Sequence, residues 1–168
     1  MVKAALILLC LAVSGCAPTH SEALRDVRPA IPIDPQTTQD TLHSLVLERA
    51  LRQGTVDFPA GARLVILQRD SSISSPAGLP HVDAVTYYLL SHAEIQRLAD
   101  RSGDIIYLQV TSPRIQGDSA KVWLGTSFAL QRRPGRSVVL LAGGGCSWSL
   151  KREAGKWHLF DPTLCLVS

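Results

Sequence analysis

The chain has 168 residues, a formal net charge of +3 and an apolar share of 46%, the balance of a globular protein. That length suits one domain, and so small a charge excess gives no ground for a nucleic-acid partner. Its five histidines and four cysteines are scattered, with no Cys-x2-Cys or His-x3-His spacing; no metal site or other cofactor is expected.

Lys3 puts a positive charge at the start, and an unbroken apolar run follows from Ala4 to Val13. A membrane span needs about 20 residues; this run has the length of a signal-peptide core instead. Val13-Ser14-Gly15-Cys16 then sets small residues directly before a cysteine. The tetrad resembles the lipobox of bacterial prolipoproteins. The resemblance implies that residues 1–15 are a signal peptide and that Cys16 carries a diacylglyceryl group and an N-acyl chain. One acyl chain binds a bilayer only reversibly, whereas several hold it durably. The membrane is thus the first expected partner. Ala17 follows the cysteine where an aspartate would suggest inner-membrane retention, so the expected place is the outer membrane, facing the periplasm.

Residues 16–36 contain Pro18, Pro29, Pro32 and Pro35 and show no helical or strand period. They read as a tether, since proline-rich chain extends about 3.1 Å per residue, with Ile31 and Ile33 as an edge strand the alternative. Residues 37–168 form the globular domain. Thr37 or Thr38 caps a helix predicted over 38–53, with Asp40 in its first turn and Leu42, Leu45, Val46 and Ala50 at helical spacing. His43 lies beside that stripe and reads as boundary packing. Ala62–Arg69 is a buried strand, residues 70–80 a serine-rich mobile loop, and His81–Leu90 a second strand. Ser91 and Glu94 form a capping box opening a short helix that stops near Gly103. From Asp104 onward the pattern is a meander of strands: 104–115, 120–131, 137–142, 146–151, 156–160 and 164–167. Arg132, Arg133 and Arg136 surround Pro134-Gly135 and read as a solvated hairpin tip.

With Cys10 removed and Cys16 acylated, Cys146 and Cys165 remain in strands on either side of the turn at Ala154-Gly155. A disulfide is expected between them, two buried thiols being the alternative. Gly143-Gly144-Gly145 precedes a strand, not the helix that a phosphate cradle requires, so a bent or bulged strand is expected. Gly145-Cys146-Ser147-Trp148 superficially resembles the cysteine stretch of papain-like proteases, but the cysteine and tryptophan are one residue too far apart.

His81 and Asp83, two apart on a predicted strand, would share a face and could orient one another as a base. Tyr87 joins them as a possible ligand contact. His158 and Asp161, near the C-terminal turn, read as surface residues. Trp123 is the fourth possible contact, because Val122 and Leu124 own the inward face and leave Trp123 on the opposite one. No residue is expected to be catalytic.

The expected architecture is α+β: an N-terminal helix and one short helix on a mainly antiparallel, curved sheet of five to seven strands. Helix followed by meander is similar to cystatin-like and NTF2-like folds. The expected function is a non-enzymatic binding or structural module, tethered to the envelope and recognising an envelope protein, a glycan or a small apolar ligand. The resemblance leaves two alternatives, a small NTF2-like pocket enzyme and a cystatin-like inhibitor.

Overall fold

The computed structural model describes residues 20–54, 60–69, 72–132, 143–162 and 164–166. Cys16, the signal segment, residues 133–136 and the strand expected over 137–142 lie outside them. A single helical turn, α1 (His20–Ala23), precedes two helices, α2 (Thr38–Gln53) and α3 (His92–Ser102). The strands are β1 (Leu64–Gln68), β2 (Thr86–Leu90), β3 (Ile105–Val110), β4 (Arg114–Gln116), β5 (Ser119–Ala129), β6 (Gly145–Glu153), β7 (Lys156–Leu159) and β8 (Leu164–Leu166). They form one eight-stranded sheet in the order β2-β1-β3-β5-β6-β7, with β4 also beside β5 and β8 beside β6.

The fold is α+β, but its sheet is mixed. β1 lies parallel to both β2 and β3, and every pairing from β3 onward is antiparallel. The short turns of the C-terminal half dictate antiparallel neighbours, whereas the long connections after β1 and β2 carry the chain back to the same end. Hydrophobic period reports which face a residue takes and not the direction of its neighbour. The strand count exceeds expectation because Thr111–Pro113 breaks one predicted strand into β3 and β4, where proline cannot donate to a ladder.

Helix α2 begins where the cap was expected. Thr37 Oγ1 accepts from Asp40 N at 3.1 Å, and Thr37 N donates to Asp40 Oδ2 at 3.0 Å. Its buried side, Leu42, His43, Val46, Leu47, Ala50 and Leu51, lies on one face of the sheet. There it meets Val65, Leu67, Tyr87, Leu108, Val122, Leu124, Cys146 and Trp148. Helix α3 opens with Ser91 and Glu94 in a second capping box and covers the opposite face. Ile95, Leu98 and Ala99 pack there with Leu24, Ile66, Leu90, Ile105, Tyr107 and Ala129. The domain is therefore layered helix, sheet, helix, and α3 covers only the part of its face formed by β1, β2, β3 and the Ala129 end of β5.

Two segments differ from their sequence reading. The expected tether lies on the domain from Leu24, which is buried, to Ala30, whose N–H donates to Tyr87 O at 2.7 Å. Ile31 and Ile33 are exposed. The expected mobile loop is packed as well: Ile73, Ala77, Gly78 and Leu79 are buried, and Pro76–Gly78 forms a 3₁₀ turn. The side chains of Ile73, Ala77 and Leu79 anchor that serine-rich stretch beneath α2, where Gly78 lies against His43.

Candidate functional site

The four residues singled out as possible contacts do not form one site. β2 starts only at Thr86, so His81 and Asp83 lie before the strand instead of along it. Both are exposed, and His81 Nε2 faces Asp34 Oδ1 at 3.7 Å. Asp83 borders a shallow depression with Arg52, Gly61 and Arg63 that neither His81 nor Tyr87 lines. Tyr87 is 1% exposed, in the core beneath α2, and its hydroxyl has no hydrogen-bond partner among the described residues. Burial, and then the nearby Glu48, push its pKa upward, so it stays protonated. A catalytic grouping of these three has no geometry to support it.

Trp123 lies elsewhere. On β5, Ala120, Val122 and Leu124 belong to the core under α2, and Lys121 and Trp123 point to the other face, beyond the reach of α3. The indole rests against backbone. Gly125 pairs with Gly145 across β5 and β6. A Cβ at Gly145 would lie 2.5 Å from Trp123 Cζ2, and one at Gly125 would lie 3.1 Å from Nε1. The glycine run thus serves close approach, not phosphate binding. Gly144 O accepts from Thr126 N at 2.8 Å and Thr126 Oγ1 at 3.1 Å. A Cβ at Gly143 would fall 1.7 Å from Thr126 O.

Around the indole runs a groove of about 660 Å³, lined by Thr111, Pro113, Arg114, Lys121, Trp123 and Ser147 among others. Thr111 fixes Trp123 twice: its N–H donates to Trp123 O at 3.0 Å, and its Oγ1 accepts from Trp123 N at 3.1 Å. The surface continues across the strands. Trp123 pairs with Ser147, and Ser147 with Leu164. Leu164 and Leu166 share that face because Cys165 between them turns the other way, toward Cys146; they are 54% and 53% exposed. On the α3 side the groove ends in a polar line. Ser127 Oγ donates to Gln109 Oε1 at 3.1 Å, and Gln109 Nε2 donates to Gln68 Oε1 at 2.7 Å.

Sequence reasoning passed over a buried polar junction behind this groove. His43 is 1% exposed. Its Nε2 lies 3.2 Å from Thr111 O and 3.1 Å from Ser72 Oγ. Thr111 O can only accept, so Nε2 carries the proton. Ser72 Oγ donates to Val110 O at 2.7 Å, leaving its lone pairs toward the imidazole. A serine and a histidine at this separation could suggest nucleophile and base. Here the hydroxyl proton is already bound to a carbonyl and the imidazole nitrogen acts as donor, which is the reverse of what attack requires. Burial lowers the His43 pKa, opposed by the Thr111 bond and by Asp40. The helical stripe could have placed His43 inside, since it falls three residues before Val46; its partners come from segments far along the chain.

Cys146 and Cys165 pair in register on β6 and β8, with their sulfurs 2.08 Å apart. Of the basic tip, only Arg132 is described. It is bound to α3, its Nε donating to Asp100 Oδ2 at 2.9 Å. Among the described residues no group of three or more His, Cys, Asp or Glu could hold a metal ion, and no helix is long and apolar enough to cross a membrane. The chain matches no family model, no curated protein and no solved structure.

Proposed function

We propose that this chain is an envelope lipoprotein, acylated on Cys16, that holds a binding domain at the membrane and recognises its ligand through the Trp123 groove. The observation that carries the binding role is the indole seated against two facing glycines beside an open groove. An aromatic side chain backed by rigid backbone is oriented before the ligand arrives, which lowers the ordering cost of association. The anchor rests on the charge, apolar core and small-residue-cysteine order of the first sixteen residues. The outer membrane, facing the periplasm, is its proposed location.

Intact mass spectrometry of protein purified from bacterial membranes, beside a Cys16→Ser variant, tests the anchor. The expected product begins at Cys16 with added acyl mass and is lost in the variant. An unacylated product in the soluble fraction would remove the anchor from the proposal. Binding is tested by comparing the Cys16→Ser chain with the same chain carrying Trp123→Ala for retention on isolated cell envelopes: retention that falls with the second substitution supports the groove, and equal retention overturns it.

A further inference from the structure

We propose that the Trp123 groove takes a carboxylate-bearing saccharide; this deepens the binding role above and rests on it. Arg114 and Lys121 are direct cross-strand partners on β4 and β5, both exposed. Residues paired in this way share a face, and Trp123, two residues beyond Lys121, shares it too. Like charges set directly opposite one another on a sheet destabilise it. Among the described residues neither cation has a carboxylate partner. The nearest acid in sequence, Asp118, is bound to Arg152 at 2.8 Å. An anion in the groove relieves that repulsion.

The second half of the ligand is defined by the indole. Gly125 and Gly145 bring backbone against the indole, which borders the groove and can offer it a flat aromatic face. A pyranose ring matches a plane of that kind with its C–H-rich face while its hydroxyls reach sideways to groups such as Thr111 and Ser112 at the groove wall. A purely apolar ligand would strip water from two cations with nothing in return. A uronic-acid unit satisfies stacking, hydrogen bonding and charge together.

Isothermal titration calorimetry on the full-length protein in detergent would compare three probes. These are an oligoglucuronate, the same oligosaccharide with its carboxyls reduced, and an oligoglutamate of equal charge. The acidic saccharide is expected to bind about tenfold more tightly than the reduced one at low salt, the scale of two exposed ion pairs. That gap should close toward 1 M salt. Arg114→Gln with Lys121→Gln should equalise the two saccharides without removing either, and Trp123→Ala should remove both. The double substitution touches only exposed side chains, so it remains informative even where Trp123→Ala does not fold. Equal binding of both saccharides would overturn the charge preference and leave the groove as a binding site. Oligoglutamate binding as tightly as oligoglucuronate would overturn the saccharide in favour of an acidic polypeptide. If none of the three binds in a way that depends on Trp123, both the saccharide and the groove fall.

Discussion

At Gly145 the backbone leaves no room for a Cβ, because the Trp123 ring already occupies its place. Gly145→Ala should push the indole off its seat and destabilise the domain by about 1–3 kcal/mol, the usual cost of overpacking. Urea denaturation would measure the loss, and Trp123→Ala in the same background should recover most of it. His43 makes a prediction of the opposite kind, through pH. Its imidazole is held neutral by burial, with a pKa below the ordinary 6.5. The unfolded chain therefore takes up this proton before the folded one does. Stability from this group is complete above about pH 6.5 and declines as the pH falls toward the folded value. Denaturant midpoints at pH 8 and pH 5 should differ, and His43→Gln should shrink the difference.

The helices depend on their caps. Ser91 N and Oγ both donate to Glu94 Oε2, at 2.7 and 2.8 Å, and Arg69 reaches the same oxygen at 3.1 Å. Those bonds to Ser91, its backbone first, hold the Glu94 pKa below the usual range. Ser91→Ala should cost about 1 kcal/mol in thermal or urea unfolding. At the far end of α3, the Arg132 side-chain bonds lower the Asp100 pKa further. Depressed carboxylates stabilise the fold above their ordinary range, and that contribution disappears as the pH falls through their folded values. Acid titration should thus show a second, lower step, below that of His43. Arg132→Gln should diminish it, since the exposed pair is then absent.

Across the whole molecule, the Cys146–Cys165 pair ties β8 to β6 and closes a loop with a sequence separation of 19. If the two sulfurs are bonded in the purified protein, reduction or Cys165→Ser should lower stability by about 3 kcal/mol in the chain-entropy account. Equal denaturation midpoints with and without reductant would show that β8 holds its place unaided. The same strand carries Leu164 and Leu166 beside the groove, so loss of the bond should also weaken ligand binding. Much of this architecture was legible beforehand, because local rules govern it. The Thr37-Thr38 pair and the Ser91–Glu94 box announced both helix starts through capping chemistry, and alternation along β5 put Trp123 on the face opposite Val122 and Leu124. The turns at Gly117 and Gly155 likewise marked antiparallel neighbours. Tertiary structure alone decided that β1 lies parallel between β2 and β3, because direction depends on where long connections return. It alone brought Gly125 and Gly145 together under one indole, and set Ser72 and Thr111 against His43. Those meetings join residues far apart in the chain, and neither periodicity nor local spacing encodes such distances.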